Sequence, residues 1–131
     1  HIQVYFDYQK EHLTINGNAE QLSKVFMSLL GNAVYAVSKK AKRESFSPEI
    51  RLSVTQEDKV ATITIHDNGI GIEHTIIGKI FDPFFTTKMT SEASGVGLYL
   101  SRAIVQNYGG DITVHSEKNI YTEFIITLPT L

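Results

Sequence analysis

The sequence contains no cysteine and no uninterrupted apolar run of the length that crosses a membrane. The absence of cysteine excludes disulfide bonds and cysteine-ligated metal sites, and it agrees with a reducing compartment, so we expect a cytoplasmic location. The most apolar stretch, residues 25–37, is interrupted by Ser28, Gly31 and Asn32 and falls short of the roughly 20 residues that span a bilayer. We therefore expect neither a signal peptide nor membrane contact by this domain; anchoring of a longer parent protein stays open.

The chain also lacks an excess of charge of either sign. It has 12 basic and 14 acidic residues and a formal net charge of −2. This balance gives no basic field for a phosphate backbone, so we expect no nucleic-acid partner. The 131 residues, 42% of them apolar, suit one domain covering residues 1–131. The first strand pattern starts abruptly at Ile2, which indicates a fragment of a longer chain.

The apolar periodicity predicts a long helix near the start of the chain. Strand patterns at residues 2–6 and 12–15 precede Asn18, which suits a helix cap, with Gln21 completing a capping box. We expect the helix to begin near Ala19 and to bury a wide apolar stripe formed by Leu22, Val25, Phe26, Leu29, Leu30, Ala33, Val34 and Val37.

The rest of the chain is mostly strand pattern. Alternation from residue 50 to 54 and from 60 to 66, with a turn between, predicts an antiparallel hairpin that delivers Asp67 into a glycine turn. Residues 72–93 are irregular apart from a short helix near 75–80, and we interpret them as a partly mobile cover. A helix from about residue 96 or 97 to 108, ended by two glycines, and strands at 111–115 and 122–128 complete the pattern. It predicts an α+β two-layer sandwich, with helices on one face of a mixed, mostly antiparallel sheet.

Two glycine motifs carry the first functional signal. We call DNGIGI at residues 67–72 the first glycine box and SGVGL at residues 94–98 the second. Glycine lets a backbone approach a ligand closely, and unpaired N–H groups at a helix start attract phosphate. Between the boxes lies FDPFFTTK at residues 81–88, whose phenylalanines suit packing or docking. The order of the two glycine boxes and the phenylalanine-rich segment between them indicates a nucleotide pocket.

Four blocks in this order resemble the ATP-binding catalytic domain of sensor histidine kinases, in the superfamily of gyrase, heat-shock chaperone, histidine kinase and mismatch-repair ATPases. They are SLLGNA at residues 28–33, the two glycine boxes, and FDPFFTTK. The resemblance covers essentially the whole chain. It implies the Bergerat-type ATP-binding fold, ATP and Mg²⁺ as cofactors, and transfer of the γ-phosphate to a histidine on a separate dimerisation domain. A response regulator would then act downstream.

The resemblance also assigns roles to single residues. Asn32 matches the family asparagine that coordinates magnesium, and Asp67 matches the carboxylate that accepts the adenine amine. Thr122 matches a threonine at the adenine end, where Tyr121 stands in place of the usual glycine. The candidate ATP-binding residues are Asn32, Tyr35, Ala36, Lys39, Asp67, Gly69, Gly71, Ile72, Lys88, Ser94, Gly95, Val96, Gly97, Leu98 and Thr122. Asn32 is also the candidate catalytic residue and Mg²⁺ ligand.

Two departures from the family pattern keep alternatives open. Ser28 stands where the motif has an earlier asparagine, and Ala93 replaces a glycine, so a degenerate binding or docking module is one alternative. A superfamily ATPase or a serine kinase is another, but the ATPase branches place a glutamate at the Ser28 position, and serine is a poor general base. None of the five histidines suits the phosphoacceptor, so we expect the acceptor outside this chain.

Overall fold

The computed structural model describes residues 1–8, 14–15, 17–83, 85 and 97–130. In these residues a five-stranded sheet has the strand order β1-β2-β3-β5-β4. Strand β1 pairs with β2 in parallel, and the other neighbouring strands are antiparallel. The bounds of the elements are β1 Gln3–Tyr8, α1 Ala19–Ala41, β2 Glu49–Glu57, β3 Val60–Asp67, α2 His74–Ile77, α3 Leu98–Asn107, β4 Asp111–Glu117 and β5 Tyr121–Pro129. The predicted fold class, a mixed sheet with helices on one face, is confirmed.

The core lies between α1, α3 and one face of the sheet. Helix α1 buries Val25, Leu29, Ala33 and Val37 at steps of four residues, as the periodicity predicts. The prediction for Val34 is wrong, since this side chain is 44% exposed. At about 100° per residue, Val34 lies too far around the helix from Val25 and Leu29 to reach the sheet.

The start of α1 is capped as predicted, although the capping box closes differently. Asn18 Oδ1 accepts the backbone N–H of Gln21 at 3.0 Å, and the helix begins at Ala19. The Asn18 N–H, however, donates to the Tyr108 hydroxyl at 3.0 Å, which in turn donates to Gln21 Oε1 at 2.6 Å. Because Tyr108 follows α3, this bridge joins the start of one helix to the end of the other.

Several predicted features lie outside the described residues. These are His12 and Leu13 of the second predicted strand, Phe84, most of the predicted cover beyond Pro83 including Lys88 and Ala93, and Ser94, Gly95 and Val96 of the second glycine box. Thr14 and Ile15 are described and belong to neither a helix nor a strand. None of the helices in the described ranges combines the length and hydropathy that a membrane span needs.

Candidate nucleotide-binding site

Three buried polar side chains lie side by side at one end of the sheet. Asp67, the last residue of β3, is paired with Thr122 on β5, and Thr122 is paired in turn with Ser116 on β4. Directly opposed residues of antiparallel strands project to the same face. Asp67, Thr122 and Ser116 are only 2%, 1% and 6% exposed. We call these three residues the polar row.

Ser116 organises the hydrogen bonds of the polar row. Its hydroxyl donates to the Tyr121 carbonyl at 2.7 Å and accepts the backbone N–H of Ile72 at 2.8 Å. Its Oγ also lies 3.0 Å from the Thr122 hydroxyl oxygen. Because the single hydroxyl hydrogen of Ser116 is used on a carbonyl, Thr122 must be the donor to Ser116. Thr122 therefore presents only lone pairs to a ligand.

Sequence reasoning missed Ser116. The signal was available in β4, where Ile112, Val114 and Ser116 occupy alternate positions on the side facing the helices. A polar residue at the end of an apolar alternation, paired with a polar residue on the next strand, indicates a polar site at that end of the sheet. The pairing with Thr122 could not be read from the alternation alone.

Burial determines the protonation behaviour of Asp67. Its Oδ1 accepts the N–H of Gly69 at 2.9 Å. Burial raises the pKa of the carboxyl from 3.8 to about 7, against the opposing effects of the Gly69 N–H and the positive charge of Lys40. A ligand that donates a hydrogen bond to Asp67 would stabilise its ionised form. The exocyclic amine of adenine is such a donor.

The glycines of the first glycine box are required by the protein itself. A Cβ at Gly69 would lie 2.5 Å from the backbone carbonyl carbon of Ala36 in α1. Gly71 has a φ of 68°, and a Cβ there would overlap the backbone carbonyl oxygen of Glu117. The close approach in the structure is thus to neighbouring backbone, and approach to an adenine stays a prediction.

Asn68 is fixed to the start of β2: its amide oxygen accepts the Glu49 N–H and its amide nitrogen donates to the Ser47 carbonyl, both at 2.8 Å.

Helix α1 carries the candidate metal ligand on a buried flank. Ser28, Asn32 and Ala36 follow one another at four-residue steps, and all three are buried. The Ser28 hydroxyl and both polar atoms of the Asn32 side chain have no hydrogen-bond partner among the described residues. Buried polar groups left unpaired cost free energy, so this flank suits a polar ligand. The Asn32 amide oxygen is a hard ligand of the kind that Mg²⁺ prefers, and the site fits that ion.

The second glycine box opens α3, as expected. Gly97 is the N-cap residue of α3, and no side chain of the described residues caps the first turn. A Cβ at Gly97 would meet no atom of the described residues within 4 Å. The side chain of Leu98, the next candidate, is buried in the core, so only its backbone is available to a ligand. Among the described residues, the helix start therefore has open space around Gly97, and the first backbone N–H groups of a helix have no partner within the helix.

Four further candidates share one cavity. Tyr35, Lys39, Gly71 and Ile72 line a space of about 290 Å³ between α1 and the segment that follows β3. Other residues on its wall are Ile70, Glu73, Ile76, Arg43, Lys118 and Asn119. The Lys118 ammonium lies 2.8 Å from a carboxylate oxygen of Glu73, so those two charges compensate each other. The charges of Lys39 and Arg43 remain, and they favour an anionic ligand.

None of the described histidines belongs to the polar row. His66 and His115 are in β3 and β4, as predicted, and His74 is the first residue of α2. The His66 ring stacks on the Tyr121 ring at 5.3 Å and lies 3.6 Å from a Glu123 carboxylate oxygen. Because neighbouring residues of a strand project to opposite faces, Tyr121 points away from Thr122 and lies on the face of the sheet opposite the polar row.

Sequence comparisons identify relatives across most of the chain. Residues 17–131 match the model of the family described as "Histidine kinase-, DNA gyrase B-, and HSP90-like ATPase". The signal transduction histidine-protein kinase AtoS of Escherichia coli strain K12 is 40% identical over 116 residues, which is 88% of this chain and 18% of that protein. Sporulation kinase A of Bacillus subtilis strain 168 is 31% identical over 128 residues, covering 98% of this chain and 20% of that protein. The chain thus spans about a fifth of the length of these relatives.

Solved structures with the same architecture include the catalytic domain of a histidine kinase. The catalytic domain of histidine kinase ThkA, in a nucleotide-free form, matches with a TM-score of 0.79 and 26% identity over 98% of this chain and 80% of that one. Full-length ShkA in complex with AMPPNP matches with a TM-score of 0.77 and 21% identity, over 98% of this chain and 26% of that one, which supports the fold alone. The chain therefore belongs to the family of histidine kinase-, DNA gyrase B- and HSP90-like ATPases, as a catalytic domain of the histidine kinase type.

Proposed function

We propose that this chain binds Mg-ATP and transfers the γ-phosphate to a histidine on a separate helical dimerisation domain of a two-component sensor kinase. The observation that carries the proposal is the polar row, in which a buried carboxylate lies beside an acceptor-only hydroxyl. Adenine presents an amine to Asp67, whereas guanine presents an oxygen that would face a second acceptor. The row thus supports selection of adenine.

The phosphate end is supported by groups that the protein leaves unpaired. Asn32 would hold Mg²⁺ through its amide oxygen, and the bound ion would offset charge on the phosphates. The backbone N–H groups at the start of α3 would donate to phosphate oxygens. Lys39, on the cavity wall, would add positive charge nearby.

Transfer is favoured over hydrolysis because of Ser28. This residue precedes Asn32 by one helical turn, and its hydroxyl is a poor base for activating water near neutral pH. Among the described histidines, His66 and His115 lie on the open face of the sheet, His74 is at the start of α2 and His1 precedes β1, and none of them belongs to the polar row. The acceptor histidine would therefore come from another domain, and a response regulator would receive the phosphoryl group afterwards.

The adenine contact is tested by calorimetry with Mg-ATP. Asp67→Ala should weaken binding by on the order of a hundredfold or more, because a buried acceptor is lost. Glu123→Ala is the matched control, since Glu123 lies beside Thr122 in β5 but projects to the opposite face. Equal affinities for wild type and Asp67→Ala would contradict the assignment of the base pocket.

The transfer step is tested with an isolated helical dimerisation domain that carries an acceptor histidine, together with γ-labelled ATP. We expect acid-labile label on the acceptor histidine, lost when Asn32 is replaced by alanine. Absence of phosphohistidine at saturating ATP, with an acceptor domain that its own kinase phosphorylates, would overturn the proposal.

A docking module without catalysis is the second candidate. The buried Ser28, in place of a second asparagine in the family motif, is the observation that favours it. Its signature is tight binding of Mg-ATP without phosphohistidine. Steady release of phosphate by the chain alone would instead indicate an ATPase.

A further inference from the structure

Two turns lie against each other at the end of the site that carries Asp67, which we call the base end. One is the first glycine box after β3, and the other is the β4–β5 turn, residues 118–120. The Asn119 N–H donates to the Ile70 carbonyl at 2.6 Å, and Asn119 holds a φ of 64°. The ion pairs Lys118–Glu73 at 2.8 Å and His74–Glu117 at 3.6 Å flank this contact. The shape of the base end thus depends on how the two turns are joined.

Lys40 binds both turns. Its ammonium donates to the Asn68 carbonyl at 3.2 Å and to the Asn119 carbonyl at 2.8 Å. The same nitrogen lies 4.8 Å from the centroid of the Phe46 ring, a distance suited to a cation–π contact. One side chain from the last turns of α1 therefore contacts two loops that are distant from it in sequence.

We propose that Lys40 is a positioning residue of the nucleotide site: its ammonium, by binding one carbonyl in each turn, sets the spacing between the Asp67 end of β3 and the β4–β5 turn. This inference rests on the proposed function, because the site that Lys40 positions is the adenine pocket. Lys39 differs, since it lines the cavity, with its ammonium 5.6 Å from the centroid of the Tyr35 ring.

The charge of Lys40 supports the same role. The elements packed beside Asp67 are α1, β2 and β5, and its direct strand partners, Ile50 and Thr122, are uncharged. Lys40, from α1, is the charged group that lowers the pKa of this buried carboxyl. It therefore favours the ionised form that accepts an amine.

Nucleotide binding tests the positioning role directly. We would measure Mg-ATP affinity between pH 6 and 9 for wild type, Lys40→Met, Lys40→Gln and the matched control Lys42→Met. Lys42 is exposed, and its replacement by methionine removes the same charge two residues away from Lys40. We expect Lys40→Met to weaken binding about tenfold at pH 7, and both Lys40 variants to move the pH midpoint of binding upward by about half a unit or more. Titration of the nucleotide's own phosphate is common to all variants.

Two measurements without nucleotide separate failure of this inference from failure of the proposed function. Carbon NMR follows the titration of the Asp67 carboxyl, and hydrogen exchange follows the Asn119 amide. In Lys40→Met we expect a raised Asp67 midpoint and an Asn119 amide that exchanges about tenfold faster. If Lys40→Met folds poorly, Lys40→Gln still reports the midpoint. An unchanged midpoint and unchanged exchange in the Lys40 variants, or equal changes in Lys42→Met, would overturn the inference even if ATP binds.

Discussion

The proposed base end of the site, formed by the polar row, and its proposed phosphate end, formed by Ser28, Asn32 and the start of α3, differ in how the protein satisfies its own polar groups. At the base end, Asp67, Thr122 and Ser116 all have hydrogen-bond partners within the chain. At the phosphate end, the side-chain polar atoms of Ser28 and Asn32 have no partner among the described residues, and α3 starts without a side-chain cap.

This difference indicates which kind of ligand group each end is suited to bind. A base is neutral and planar, so a preformed pocket with fixed acceptors can select it. Phosphates and a metal ion bring strong charges with them, and they can satisfy donors and an amide oxygen that the protein leaves unpaired. The same contrast holds for the glycines, because Gly71 is enclosed by backbone whereas Gly97 has no atom of the described residues within 4 Å of an added Cβ.

The largest expected effect is the difference in stability between substitutions at Gly71 and at Gly97. Gly71→Ala should lower the free energy of unfolding by about 3 kcal/mol or more, because the methyl group overlaps the Glu117 carbonyl at a positive φ. Gly97→Ala should cost about 1 kcal/mol or less. Urea unfolding without nucleotide measures both. Similar costs at the two positions would remove the distinction between an enclosed and an open glycine.

The closed base end also predicts a pH-dependent cost. The pKa of Asp67 is about 7 in the folded chain against 3.8 when unperturbed, so the folded chain binds more protons between these values. Its contribution to stability is therefore complete below pH 3.8 and is lost as the pH rises through 7. Asp67→Asn should be more stable than wild type by on the order of 3 kcal/mol at pH 8 and about equal at pH 4. Chemical denaturation at both pH values checks this; a constant difference would argue against the raised pKa.

The open phosphate end predicts an effect on ligand but not on folding. Gly97→Ala should weaken Mg-ATP binding about tenfold, since a methyl group would enter the space where we propose that phosphate binds, while adenosine affinity stays unchanged. Calorimetry with both ligands separates the two ends. Equal losses for ATP and adenosine would show that Gly97 does not act on phosphate alone.

The smallest effect is expected for a substitution at Ser28 in α1. Ser28→Ala removes a buried hydroxyl without a partner among the described residues, so the free energy of unfolding should rise by up to about 1 kcal/mol. Ser101→Ala, at a second such hydroxyl on α3, is the matched control. We expect only Ser28→Ala to lower Mg-ATP affinity, by a few fold. A loss of stability in Ser28→Ala would mean that the hydroxyl is satisfied in solution.

Much of the site followed from local patterns. The hairpin alternation placed Asp67 at the end of β3, and Asn18 marked the start of α1. Lys40 and Ser116 did not follow, because their contacts join distant parts of the chain: Lys40 and Asn119 are 79 positions apart, and Ile72 and Ser116 are 44 apart. Their roles depend on strand pairing and helix placement, which a local pattern does not encode.

The sequence by itself determined most of the helices and strands and the order of the glycine boxes, because turn chemistry and side-chain periodicity act over a few residues. Only the tertiary structure decided which polar groups are buried and which of them find partners. Burial raises the pKa of Asp67, strand register aligns it with Thr122 and Ser116, and α1 brings Lys40 to both turns. Those non-local effects separate the closed base end from the open phosphate end.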